Sequence, residues 1–180
     1  MQNNNNKATI SIGGAVSSDC YWNPGTFQAA SETYMANAAV AGLSSIYLGV
    51  RLTTPGAGTT DGYRVYFDEG LPPLVRLQRL DDGVATQLGA NFEYPTIIGV
   101  NSGVGLRAQG TELTAWIRDT GVWSTVPTIS RFDSTYSGGG YIGFGQINSV
   151  VSSMDDFGGG NIPGNVGSFP THLGGRGAGW

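Results

Sequence analysis

The sequence predicts an all-β domain built from two packed antiparallel sheets. Three observations lead there. The first is composition: charged residues are only 12% of the chain, with one lysine (Lys7) and four glutamates (Glu32, Glu69, Glu93, Glu112). That is too few of the residues that clothe exposed helix faces, so a helical bundle is excluded. The second is a series of short stretches with period-two alternation or β-branched and aromatic enrichment. The third is turn chemistry between those stretches, with no intervening helical pattern of the kind parallel βαβ units require.

In chain order, 2–6 (QNNNN) reads as a polar tract, so residues 1–7 form an N-terminal stub. Strands are then expected at 8–12 (ATISI), within 31–40 (SETYMANAAV), and at 46–52, 63–67, 73–80, 84–89, 104–109, 112–118, 121–126 and 141–147. Asp61-Gly62, Asp82-Gly83, Gln109-Gly110 and Asp119-Thr120-Gly121 are expected to turn the chain, since glycine and aspartate supply the positive φ of tight hairpins. The body is expected to end at Phe157. Residues 158–180 hold nine glycines and two prolines, which predicts an extended arm rather than helix or central strand.

With 180 residues and 19 aromatics, the chain can fill one core and is too short for two comfortable domains. Net charge is −4, and the eight arginines are scattered singly, so no basic stripe meets nucleic acid or anchors to a membrane surface. A single cysteine (Cys20) and a single histidine (His172) leave no internal disulfide, cysteine-based zinc site or histidine cluster. Cys20, beside Tyr21 and Trp22, reads as a small hydrophobe rather than a nucleophile. No window is apolar enough for a spanning helix, and MQNNNNK does not resemble a secretory leader. The expectation is therefore export by another route, or departure from the cell within a particle such as a virion.

Several motifs then occur in a telling order. Leu106, Arg107, Gly110 and Leu113 lie in GLRAQGTEL; Asp133, Tyr136, Gly140 and Gly143 lie in DSTYSGGGYIG; Asp155, Asp156 and Phe157 close the body; YWNPGTF occupies 21–27. Together these resemble the concanavalin A-like lectin/glucanase superfamily, in particular its laminin-G-like members, over about residues 8–160. The resemblance implies a jelly-roll sandwich. It also implies an extra N-terminal strand, for which only seven residues precede Ala8 here, so an open sheet edge is expected near Asp155–Phe157.

Glycosidases of that superfamily place paired acids one short strand spacing apart, on one sheet face. The acids here are adjacent (Asp68-Glu69, Asp81-Asp82, Asp155-Asp156) or isolated (Glu93, Glu112), so no catalytic residue is assigned. His172 lies in the glycine-rich segment, where no Ser-His-Asp triad is expected. Relatives of this kind often bind calcium, which makes Asp133 and Asn101 candidate ligands, with Asp155 and Asp156 behind them. Asp133 equally reads as the cap of a turn.

Sugar-binding surfaces use exposed aromatics. On 112–118, Trp116 shares parity with Glu112 and Thr114, while Leu113, Ala115 and Ile117 form the apolar face. Trp123 opposes Val122 in the same way. Trp116 and Trp123 are thus the candidate glycan contacts, against packing as the alternative. Ile162, Val166, Phe169, Leu173 and Trp180 are more apolar groups than a plain linker carries, and are candidate contacts to other copies of the chain. The leading expectation is a non-enzymatic structural or display subunit of an extracellular assembly, with glycan binding as a compatible activity. The alternative is a lectin-like module, and a glycan hydrolase ranks third.

Overall fold

The computed structural model describes residues 2–4, 7–9, 18–22, 25–39, 45–56, 58–68, 70, 72–95, 102–147 and 153–162. No helix occurs among them. The strands are, in order, β1 (Gln2–Asn4), β2 (Lys7–Thr9), β3 (Ser18–Tyr21), β4 (Ser31–Ala39), β5 (Ser45–Thr53), β6 (Asp61–Asp68), β7 (Leu74–Asp81) and β8 (Val84–Gln87). They continue with β9 (Phe92–Glu93), β10 (Ser102–Gln109), β11 (Glu112–Asp119), β12 (Val122–Trp123), β13 (Ile129–Phe132), β14 (Tyr141–Ile147) and β15 (Ser153–Asn161).

They form two antiparallel sheets. The eight-stranded sheet runs β1-β2-β15-β4-β10-β11-β12, with β13 also on β11; the seven-stranded sheet runs β3-β14-β5-β6-β7-β8, with β9 also on β7. The expected two-layer sandwich is therefore present. Its core is filled by alternate residues: Leu48, Val65 and Leu77 from one sheet meet Leu106, Leu113 and Met35 from the other. Alternation places the remaining residues of each strand on an outer face. Burying side chains between two such faces is the main stabilisation of a sandwich.

Turn chemistry works locally where it was expected, with one exception. Asp82 (φ 49°) and Gly83 (φ 77°) make a two-residue hairpin, as do Thr120 (φ 46°) and Gly121 (φ 88°). Asp61-Gly62 does not turn the chain; it begins β6. The cause is a register shift in the partner strand between Val50 and Thr53, which turns Arg51 inward and brings its carbonyl against Gly62. A Cβ on Gly62 would lie 2.6 Å from that oxygen.

The glycine-rich region also departs from expectation. Gly158, Gly159, Gly160 and Asn161 continue β15, pairing with Tyr34, Thr33, Glu32 and Ser31 of β4. Glycine is tolerated there because neighbours occupy the side-chain positions. The Tyr34 hydroxyl lies 2.5 Å from where a Cβ on Gly158 would sit, and Ile142 lies 2.8 Å from one on Gly159. Ile162, expected to contact another copy, is only 6% exposed, and its amide donates to Ala30 O at 3.0 Å. It completes the sandwich of its own chain. Val166, Phe169, Leu173, Trp180 and His172 lie outside the described residues.

At the other terminus, the expected stub contributes a strand: Gln2–Asn4 pair with Lys7–Thr9, and β2 pairs with Ser153 and Met154 of β15. The chain's own N-terminal hairpin thus covers Ser153 and Met154, immediately before the Asp155–Phe157 edge expected to be open, and does not reach that edge.

Candidate functional site

The outer face of the seven-stranded sheet carries a cleft of about 680 Å³. The register builds it. One cross-strand row reads Tyr21, Gly143, Gly49, Arg64, Gln78; the next contains Gly145, Tyr47, Tyr66, Arg76. Two facing glycines in the first row make a depression two strands wide. The Leu52 side chain lies in it, 2.9 Å from where a Cβ on Gly49 would sit and 3.0 Å from one on Gly143. The floor is therefore apolar (Leu52, Leu80), and the rim carries Tyr21, Tyr47, Thr60 and Arg64.

Each wall is held. Tyr21, 43% exposed, meets Tyr141 edge-on at 5.4 Å. Tyr47 and Tyr66 stack at 6.3 Å and 10°. The Arg64 guanidinium sits over both rings, at 5.1 and 5.2 Å, and its Nε donates to Gln78 Oε1 at 2.8 Å. Arg76 pairs with Asp68 at 2.8 Å. The end wall is the β5–β6 loop, stapled internally: Thr54 Oγ1 donates to Thr59 O (2.6 Å), Thr59 Oγ1 to Thr54 O (3.0 Å) and Thr60 Oγ1 to Gly56 O (3.0 Å). Gly83 N donates to Thr60 O at 2.8 Å, which fastens that loop to the β7–β8 turn. A cleft braced in this way loses little entropy when it is filled.

A polar cluster lies at the same end of the sandwich. Tyr136 Oη donates to Asp81 Oδ1 (2.8 Å) and Asp61 Oδ1 (3.2 Å). Tyr63 Oη donates to Asp133 Oδ1 (2.6 Å), and Arg79 bridges Asp81 and Asp133 at 2.9 and 3.2 Å. Bonds from Arg79 and Tyr136 hold the Asp81 carboxyl below its ordinary value. Burial pushes the Asp133 carboxyl up, but hydrogen bonds from Tyr63 and Thr135, and the Arg79 charge, outweigh it and hold it down. Burial, then the bond to Asp133, pushes the Tyr63 hydroxyl up to about 12. Sequence reasoning missed the approach of Asp61 and Asp81. The signal was the β6–β7 register, which puts Gly62 opposite Leu80 and hence the two acids at one hairpin end. A glycosidase acid needs a raised pKa; Asp81 is shifted the other way. The cluster ties the 133–136 segment to the opposite sheet.

Asp133 therefore acts as the turn cap and latch. Its oxygens already accept from Tyr63, from the Thr135 amide (2.9 Å) and from Arg79, and a guanidinium beside them opposes a cation. This donor set does not fit calcium, which needs six to eight oxygen ligands. Asn101 lies outside the described residues. Asp155 Oδ1 accepts the Asp156 amide at 2.9 Å. Among the described residues, no group of three or more His, Cys, Asp or Glu could hold a metal ion.

Trp116 lies on the outer face of the eight-stranded sheet, as its parity indicates, but only 4% of it is exposed. The Arg107 guanidinium sits over its ring at 5.3 Å and is itself paired with buried Glu32 at 2.9 Å. No ring face remains for a sugar, so Trp116 is a packing residue. Trp123 is half-buried at the end of β11, opposite Arg118. Neither tryptophan lies in the cleft, which Cys20 lines instead.

No family profile and no curated protein matches the sequence. Solved structures do. The legume lectin-like domain from Entamoeba histolytica aligns with a TM-score of 0.61 at 11% identity, over 88% of this chain and 85% of that one. The exoplasmic domain of VIP36, in a form bound to Ca2+ and Man3GlcNAc, aligns with a TM-score of 0.65 at 12% identity, over 89% and 80%. A Bacillus subtilis protein with a galectin-like fold aligns with a TM-score of 0.62 at 13% identity, over 83% and 80%. At these identities the likeness is one of fold. With two antiparallel sheets in this order, the chain is a concanavalin A-like jelly-roll sandwich, the architecture of legume lectin-like and galectin-like domains.

Proposed function

We propose that this protein is a non-catalytic carbohydrate-binding module that holds an oligosaccharide in the cleft over Gly49 and Gly143. The observation that carries this reading is the cleft itself. It is preformed and of ligand size, with an apolar floor, aromatic rims and a few oriented polar groups. A pyranose presents the same mixture, a C–H face that packs on aromatic or aliphatic carbon and hydroxyls that hydrogen-bond to planar side chains. The fold supports the reading, since the matching VIP36 domain holds Man3GlcNAc in one of its structures.

A glycan array probed with the purified chain tests it. Tyr21→Ala, at an exposed rim position, is expected to weaken the array hits at least about tenfold while leaving the thermal transition unchanged. A wild-type chain that binds no glycan overturns the reading. The cleft lining holds no carboxylate. Binding is therefore expected to survive chelation of divalent cations, and loss of binding in EDTA would place a cation at the site.

Display on an extracellular assembly such as a virion would add to this activity. Ile162 is buried and Gly158–Asn161 pair with β4 within this chain's own sandwich, so these residues are not offered as self-assembly contacts.

A further inference from the structure

We infer that the sugar the cleft takes carries a methyl group, as a 6-deoxyhexose or an N-acetylated hexosamine does, and seats that methyl at the closed end of the cleft over Leu52 and Leu80. This rests on the reading of the cleft as a sugar site and names the chemistry of its ligand.

The two ends of the cleft differ in kind. Tyr21, Tyr47 and Arg64 rim it along the sheet, whereas the β5–β6 loop and the β7–β8 turn shut its far end. That closure is tight: a Cβ on Gly83 of the turn would come within 2.8 Å of the Gly58 Cα of the loop. The side chains presented at the closed end are largely carbon. Leu52 is 8% exposed and Leu80 6%, and the half-buried Pro55 ring lies beside them.

The polar groups of the closed end are turned to one another. Thr54 and Thr59 exchange hydroxyl-to-carbonyl bonds at 2.6 and 3.0 Å. Thr60 Oγ1 donates to Gly56 O and accepts from the Gly56 amide, both at 3.0 Å. Thr60 O accepts the Gly83 amide at 2.8 Å. A sugar hydroxyl pushed into this end would give up its water and would have to break into one of these bonds to regain a partner. A methyl group gives up no hydrogen bond there. It removes its own surface, and that of the two leucines, from water. The ring hydroxyls of the same sugar then lie toward the rim, where the polar side chains are.

The test is a panel of oligosaccharides in pairs that differ only at the methyl: terminal 6-deoxyhexoses with their parent hexoses, and terminal N-acetylhexosamines with their N-formyl counterparts. The purified full chain is expected to bind the methyl-bearing member of one kind of pair at least about tenfold more tightly. The kind of pair that shows the preference identifies the source of the methyl. Leu80→Asn, which places an amide at the closed end, is expected to bring the preference below about threefold in a chain that keeps its circular dichroism spectrum. Pro55→Ser, in the loop, serves the same purpose if Leu80→Asn fails to fold. Tyr21→Ala, at the rim, is expected to weaken both members alike and leave their ratio unchanged. Equal binding of both members in every pair, preference for the member without the methyl, or a preference that persists unchanged in the folded closed-end variant overturns this inference and leaves the glycan-binding reading standing. Binding of no member of any pair also overturns it, and together with a blank glycan array overturns both.

Discussion

Two arginines show how a side chain's surroundings set its role. Arg51 is 2% exposed and donates to three backbone carbonyls, those of Ala29 (2.7 Å), Tyr136 (2.9 Å) and Gly110 (2.8 Å). It joins three segments distant in sequence. Arg51→Ala strands those carbonyls and is expected to cost about 3 kcal/mol or more in urea unfolding. Arg107, on the opposite sheet, neutralises buried Glu32 and covers Trp116. Arg107→Ala leaves an uncompensated buried carboxylate and is expected to cost about 3–5 kcal/mol. The pair Arg107→Met with Glu32→Leu is expected to recover most of that loss, and a double variant as unstable as the single one would show that the charge is not the cause. Parity placed Trp116 correctly on an outer face. Its burial was illegible, because it depends on which neighbours lie over the ring.

At the scale of elements, two segments are held by contacts outside themselves. The 133–136 segment is latched by carboxylates whose pKa values are depressed at Asp81 and Asp133. A depressed folded-state pKa contributes stability that is full above the ordinary value of 3.8 and is lost as pH falls through the lower folded value. The melting temperature is therefore expected to fall with acidification between about pH 5 and pH 1. The Asp133→Asn chain should start lower at neutral pH and fall less steeply, and equal slopes would remove Asp133 from the latch. The end of β15 is the second such segment. A chain ending at Phe157 loses the pairing of Gly158–Asn161 with β4 and the burial of Ile162. It is expected to melt well below a chain ending at Ile162, as judged by circular dichroism, and coincident transitions would mean that this pairing contributes nothing. Glycine content alone argued against a strand here, because strand propensity describes a residue's own preference. Tyr34 and Ile142, which fill the vacant side-chain positions, come from other strands.

Over the whole molecule, the last described strand lies between β2 and β4, so residues near the two ends of the described chain meet in one sheet. The eight-stranded sheet cannot close until that strand arrives, and its pairings span most of the chain. Refolding is expected on the millisecond-to-second scale of non-local β topologies, and microsecond refolding in stopped-flow or temperature-jump measurements would contradict that order.

The sequence by itself determined what is local: the β class, the hairpins at Asp82-Gly83 and Thr120-Gly121, and the outer-face parity of Trp116, though not that of Trp123, whose neighbour Val122 is exposed rather than apolar-facing. These follow from backbone sterics and period-two geometry, which act within a few residues. Only the tertiary structure decided the cleft between Tyr21 and Arg64, the meeting of Asp61 with Asp81, the burial of Trp116 and Ile162, and the strand made of glycines. Each depends on register and cross-strand neighbours, often tens of residues apart. Exposure, charge compensation and cavity shape are properties of those pairings rather than of any residue alone.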